Sequence, residues 1–160
     1  DMDLKKKTDE GKHYDWVPEM TAFLETEYAL QAIATKKYSL IVHNFQNCDM
    51  IGHTGNVAAA AAAIIDIDKC LTQLVPAWLN QGGVFIITAD HGNADEMAID
   101  HAGKLVGSTQ HSLNPVPCWV LGGKEKLKST GIIPDVGVTV LDLMGLPKPA
   151  EMSAQTLVIN

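Results

Sequence analysis

The feature that most constrains the fold is a long helical period set between two short β-branched runs. From Val57 to Leu79, the residues Ile64, Ile67, Leu71, Leu74, Val75 and Trp78 recur at steps of three and four, the spacing of one helix face. Ahead of it, Tyr38 to Phe45 is rich in β-branched and aromatic residues, which predicts a strand buried on both faces. Behind it, Val84 to Thr88 reads as a second buried strand. A strand, a crossover of this length and another strand favour parallel pairing, because an antiparallel pair needs only a tight turn. The expectation is an α/β fold, a mostly parallel sheet with helices on both faces.

Other segments fill in around this unit. Pro18-Glu19-Met20-Thr21 suggests a helix start, and Phe23, Leu24, Tyr28, Leu30 and Ile33 carry the helix to Lys36, although too scattered for one clean stripe. Asn44 to Asn56 is the exit loop of the first strand. Pro76 is expected to kink or loosen the last turn of the long helix, and Gln81-Gly82-Gly83 to end it. Lys104 to Gly107 and Pro117 to Leu121 are short strands, and a final helix runs from about Asp135 to Met144, with Gly145, Pro147 and Pro149 preventing its continuation. The run Ala58 to Ala63 is low in complexity but strongly helix-forming. Residues 1–13 read as a polar tail or linker stump, and 14–160 as the domain.

Composition narrows the function classes. A chain of 160 residues with 46% hydrophobic and 19% charged residues is long enough for one core and too apolar to be disordered. Its net charge of −7 argues against nucleic acid, and Lys5-Lys6-Lys7 is the only dense basic cluster. All 12 basic residues are lysine, so the two-pronged recognition of a phosphate that normally falls to arginine must come from metal ions or from groups outside this chain. Val57 to Ile65 is too short to span a bilayer, and Asp1 to Lys12 lacks the apolar core of a secretory signal, so the expected location is the cytoplasm. Cys48, Cys70 and Cys118 form no close pair and read as thiols rather than as a disulfide framework or zinc knuckle.

The chemistry concentrates in loops. Asp90-His91 follows the apolar run Val84-Phe85-Ile86-Ile87, Asp49 and His53 lie beyond Leu40-Ile41-Val42, and His111 precedes Asn114-Pro115-Val116-Pro117. In open α/β sheets ligands gather outside the carboxyl ends of strands, which is where these residues fall. Asp49 and His53 are four apart, so one turn of helix or a tight loop aims both at one point. Asp90 and His91 are adjacent and require a sharp bend to share an ion. Mixed carboxylate and imidazole donors suit manganese or zinc better than magnesium, and two ions a few ångströms apart could clamp a transferring phosphoryl group.

The remaining polar residues carry less. Asn93 and Glu96 are candidates for orienting the ligands, and turn formation explains them equally well. His43 reads as a hydrogen-bonded strand residue, while His13 and His101 have no metal context. Ser112 stands beside His111, yet no base and orienting acid can be assigned to it, so a hydrolase triad is disfavoured. No glycine-rich phosphate loop is present, and Gly122-Gly123 reads as a turn.

These residues resemble the cofactor-independent (2,3-bisphosphoglycerate-independent) phosphoglycerate mutases of the alkaline phosphatase superfamily. Asn44-Phe45 through Cys48-Asp49-Met50-Ile51-Gly52-His53-Thr54-Gly55 is similar to that family's first metal motif, and Thr88-Ala89-Asp90-His91-Gly92-Asn93-Ala94 to its second. Gln110-His111-Ser112-Leu113-Asn114-Pro115-Val116-Pro117 resembles the third, and Leu141-Asp142-Leu143-Met144-Gly145-Leu146-Pro147-Lys148-Pro149 the carboxyl-terminal signature. Tyr14-Asp15 with Pro18-Glu19-Met20 also fits, so the resemblance runs from about Tyr14 to Val158.

The resemblance implies an alkaline-phosphatase-like partial domain, the carboxyl-terminal part of a metal-binding phosphatase-type domain. It implies two Mn2+ ions, with Zn2+, Mg2+ or Co2+ as alternatives: Asp49, His53 and His111 on one, Asp90 and His91 on the other. The implied reaction interconverts 3-phosphoglycerate and 2-phosphoglycerate through a phosphoserine intermediate. The nucleophilic serine would come from a missing amino-terminal segment, and the arginines that hold phosphoglycerate from an inserted phosphotransferase domain. The isolated chain is therefore expected to be inactive. A phosphopentomutase, a metal-dependent phosphatase of the same superfamily and a non-catalytic metal-binding module are the alternatives. Two departures stand out: Cys48, where the family commonly has proline, and Ala154-Gln155-Thr156, where glycine and serine are more usual.

Overall fold

The computed structural model describes residues 17–102, 104–108 and 110–159, so the tail at 1–13, Tyr14-Asp15 and His13 lie outside the described residues. In chain order the elements are helices α1 (Ala22–Thr35), α2 (Asn47–Gly52) and α3 (Val57–Leu79), then strands β1 (Phe85–Thr88), β2 (Ala98–His101), β3 (Lys104–Gly107), β4 (Cys118–Leu121) and β5 (Lys126–Leu127). Helix α4 (Ile133–Leu143) and strand β6 (Val158–Ile159) complete the order.

Helix α3 covers the predicted span. Asn56 caps its amino end, its side-chain oxygen accepting from the Ala59 N–H at 3.1 Å, which satisfies one of the donors a helix start leaves free. The helix continues past Pro76 to Leu79, and its exit is held where Trp78 Nε1 donates to the Val84 carbonyl at 2.9 Å. α1 also matches its predicted span closely, ending at Lys36 in a left-handed conformation whose N–H bonds the Ile33 carbonyl. α4 begins two residues before the expected Asp135. Pro134 fits the first turn, and the Asp135 carboxylate accepts the N–H of Ile132 at 3.0 Å.

Two cores give α3 its neighbours. Toward its amino end, Ala59, Ala60 and Ala63 pack with Ile51 and Met97, and the small alanine side chains let α2 approach closely. The low-complexity alanine run is thus a docking face. Toward its carboxyl end, Leu74 packs with Ala29 and Ile33 of α1, and Ile41, Phe45, Trp78 and Phe85 close over them.

The strand pairing differs from expectation. β1 pairs antiparallel with β4, Phe85 opposite Leu121 and Thr88 opposite Cys118, and the other pairs, β2 with β3 and β5 with β6, are antiparallel too. No parallel ladder forms among the described residues. Tyr38 to Phe45, expected as a strand buried on both faces, is in no strand. Only one side is covered: Ile41 and Phe45 face the helical core, whereas Tyr38, Leu40 and Val42 are exposed, Val42 at 85%. A ladder needs a partner backbone, and none of the described residues supplies one here. The expected exit loop at 44–56 contains α2 instead of being irregular throughout.

Among the described residues no helix is long and apolar enough to cross a membrane. The described cysteines are free thiols, Cys70 buried and Cys48 and Cys118 partly so. Burial pushes the Cys48 thiol above its ordinary range, which makes it a packing residue rather than a thiolate.

Candidate metal centre

Three loops meet at one corner of the chain. The first is built on α2, which is anchored from behind by the buried Asn47, whose Nδ2 donates to the carbonyls of Pro18 and Glu19 at 2.7 and 3.0 Å. Asp49 sits in this helix and His53 caps its carboxyl end, with the His53 N–H bonded to the Asp49 carbonyl at 3.0 Å. One helical turn therefore brings His53 Nε2 to 3.1 Å from Asp49 Oδ1, as the four-residue spacing predicted.

The second loop leaves β1 at Thr88 and carries Asp90 and His91; the third carries His111 toward β4. An isolated antiparallel bridge joins the two loops at Gly92 and Ser112, with the Ser112 N–H donating to the Gly92 carbonyl at 2.8 Å. His111 Nε2 lies 3.2 Å and His91 Nε2 4.0 Å from the same Asp49 Oδ1. The His91 and His111 rings stack at 3.6 Å with only 11° between their planes, and the His53 ring centre is 5.2 Å from that of His111. Asp90, largely exposed, stands at the rim with Oδ2 at 3.6 Å from His91 Nε2.

All five expected residues thus occupy one corner. The ligand atoms of Asp49, His91 and His111 fall within 4.8 Å of one another, a grouping that crosses the expected division of the five between two ions. The donor chemistry fits a divalent ion. Three imidazole nitrogens directed at one carboxylate oxygen form a mixed nitrogen and oxygen set of the kind borderline ions take. His91 Nδ1 is in addition buried without a hydrogen-bond partner. Imidazoles packed this closely gain little from one another, whereas a shared cation would give their lone pairs a common target.

Two glycines permit the convergence. A Cβ on Gly52 would lie 2.0 Å from Asn93 Oδ1, and one on Gly92 would lie 2.2 Å from Ser112 Oγ. Either methyl would displace the side chain it meets. Asn93, only 6% exposed, donates from Nδ2 to Asp49 Oδ1 at 2.8 Å. Its amide orientation is decided by that contact, since the reversed amide would set two oxygens against each other. Between the sequence alternatives for Asn93, the structure has it orienting Asp49. Glu96, by contrast, is exposed.

The sequence reading missed Asp95. Its Oδ2 accepts from Ser112 Oγ at 2.8 Å and from Asn114 Nδ2 at 2.7 Å. The Asn114 and Ser112 hydrogen bonds hold its carboxyl below the usual carboxylate range. The only signal for it was an acid four residues after His91 in a turn, which ordinary turn chemistry also explains. Ser112 thus donates its hydroxyl to a carboxylate of the second loop. His43 lies 3.6 Å from Glu25 and packs edge-on against Phe45, away from this corner. For His101 only the backbone, in β2, is described.

A corner of carboxylate and imidazole donors on an α/β framework has the chemistry of a divalent-metal site. Residues 4–148 match the family model of the Metalloenzyme superfamily, and the chain belongs to that superfamily. It is similar to the 2,3-bisphosphoglycerate-independent phosphoglycerate mutases of Thiobacillus denitrificans, 48% identical over 145 residues, and of Synechococcus sp. (strain JA-3-3Ab), 45% identical over 154 residues. Each alignment covers 90% of this chain and 28% of the relative, so the chain spans little more than a quarter of the length of the curated relatives it matches. Among solved structures it superposes on Leishmania mexicana phosphoglycerate mutase, crystallised at low cobalt concentration, with a TM-score of 0.80 and 30% identity. That match covers 91% of this chain and 29% of the other. The α/β class and the expected partial domain of the phosphoglycerate mutase fold are borne out, with the pairing of the strands corrected as described above.

Proposed function

We propose that this chain is the carboxyl-terminal part of the phosphatase-type domain, residues 14–160, of a cytoplasmic cofactor-independent phosphoglycerate mutase, and that it supplies ligands for two Mn2+ ions. The observation that carries the reading is the convergence of His53, His91 and His111 on the Asp49 carboxylate. Asp49, His53 and His111 serve one ion and Asp90 and His91 the other, with His91 close enough to the first group for the two ions to be neighbours. Bound divalent ions would supply Lewis acidity for the transfer of a phosphoryl group to and from a serine hydroxyl. The chain's own residues orient this set: Asn93 fixes the Asp49 carboxylate and α2 fixes the angle between Asp49 and His53. An open cleft of about 320 Å3 lies beside His111, lined by Glu96, Gln110 and Asn114 among others.

The reaction assigned to the complete enzyme is the interconversion of 3-phosphoglycerate and 2-phosphoglycerate through a phosphoserine intermediate. On this reading the nucleophilic serine and the substrate clamp come from other segments of the complete enzyme. The absence of arginine supports this division, because a phosphorylated acid bound without arginine needs another source of planar donors. Two measurements test the reading. Calorimetric titration of the chain with Mn2+ should give binding that His111→Ala removes, and absence of binding by the unsubstituted chain would overturn the metal assignment. An assay of the isolated chain with Mn2+ and 3-phosphoglycerate should give no turnover, and robust turnover would show that the chain carries its own nucleophile.

A further inference from the structure

We propose that Asp95 is a positioning residue that holds His111 in the metal centre by tying the second motif loop to the third; the proposal rests on the metal-binding reading above. Apart from the Asp49 carboxylate, 3.2 Å from its Nε2, and the neighbouring histidine rings, His111 has little to hold it. Its side chain is about half exposed, and the ring lies against His91 rather than inside a packed core. Its place therefore depends on its backbone as well as on Asp49, and the residues that follow it are where the backbone is tied.

Three hydrogen bonds make the tie. Ser112, the next residue, donates its N–H to Gly92, the residue after His91, and its hydroxyl to Asp95 Oδ2. Asn114 donates to the same carboxylate oxygen. A single oxygen thus gathers two donors from the third loop, and its own backbone position is only four residues beyond His91. The geometry leaves no room for a substitute at the bridge, since a Cβ on Gly92 would strike both Ser112 Oγ and, at 2.7 Å, Asp95 Oδ1. An ionised carboxylate suits the role because it accepts both bonds more strongly than a neutral amide. If the tie is released, the His111 loop is free to swing, and His111 leaves the stack on His91.

The test uses the whole chain with Mn2+ as the probe. Asp95→Ala should weaken calorimetric Mn2+ binding by about 10- to 100-fold, the size usual for losing a group that orients a ligand. Asp95→Asn, which can still accept through its single oxygen, should recover part of that loss. Circular dichroism and melting temperature, taken with the same samples, establish that binding is measured on folded protein. A merely structural role would lower the melting temperature and leave the affinity of the folded chain unchanged.

A second readout needs no metal. Nuclear Overhauser contacts between the His91 and His111 ring protons should be present in the metal-free chain and lost in Asp95→Ala. Retention of those contacts, or Mn2+ affinity within about twofold of the unsubstituted chain, overturns the proposal. Should Asp95→Ala not fold, Ser112→Ala removes one of the two bonds and should weaken both readouts in the same direction; no change in either overturns it. An unsubstituted chain that binds no Mn2+ defeats the metal reading alone, and the ring contacts then decide the role of Asp95.

Discussion

The corner formed by α2 and the two histidine loops and the extended segment from Tyr38 to Phe45 both lean on cores built around α3, yet they end up in opposite conditions. In the corner, Ile51 is fully buried against the alanines of α3, Asn47 is bonded to two carbonyls, and Asn93 and Asp95 tie loop to loop. In the extended segment, Ile41 and Phe45 lean on the helices while Tyr38, Leu40 and Val42 face outward without a ladder. The difference lies in where each finds its partners. A helix satisfies its own backbone and needs a neighbour only for one face, so α2 and α3 complete each other within this chain. A strand needs another backbone beside it, and this one has none among the described residues.

The comparison breaks most easily at Ile51. Ile51→Ala should destabilise the chain by about 2–5 kcal/mol, the cost of a cavity in a site with no slack, measured by urea denaturation. A loss below about 1 kcal/mol would mean that α2 is not the packed element described here. Gly52→Ala comes next. The added methyl meets Asn93 and should cost about 1–3 kcal/mol by overpacking. Because Asn93 holds Asp49, the metal-binding proposal expects the same change to weaken Mn2+ binding in calorimetry as well, whereas Ile51→Ala should act mainly on stability.

Acid sharpens the contrast between tied and untied regions. Asp135 is held below the usual carboxylate range by the N–H groups of Ile132 and Gln155, with Lys128 adding a favourable charge. A carboxylate whose folded value is depressed stabilises the fold fully above its unfolded value near 3.8. That contribution fades as the pH drops below 3.8 and is gone once it has passed the lower folded value. Asp135→Asn should therefore be less stable than the parent at pH 7, with the gap closing below about pH 4 in denaturation curves taken across that range. A gap that stays constant with pH would remove the charge from the account. The smallest effect belongs to the extended segment: Val42→Ser should change stability by no more than about 0.5 kcal/mol. Backbone amides from 38 to 45 should exchange with solvent far faster than those of β1, and slow exchange there would show that this segment has a partner after all.

The candidate site was readable in the sequence to an unusual extent. Asp49 with His53, Asp90 with His91, and His111 stand out because carboxylates and imidazoles at spacings that a turn of helix or a strand end can aim are the pattern a candidate metal site needs. Asn93 was half readable, since an Asn after Gly92 serves a turn as well as a ligand. Asp95 was hidden for a physical reason: its partners Ser112 and Asn114 are distant in sequence, and an acidic residue in a turn looks the same whether or not it spans two loops.

By itself the sequence determined what local physics decides: the extent of α3 from its apolar period, where α1 and α4 end, and the residue types that meet at the corner. Tertiary structure alone decided which strands pair. A run such as Tyr38 to Phe45 carries β-propensity in every context, but hydrogen-bond partnership is a property of two backbones, and β1 found its partner in β4 instead. It also decided that Asp95 joins two loops, because a hydrogen bond between distant residues exists only once the chain has brought them together.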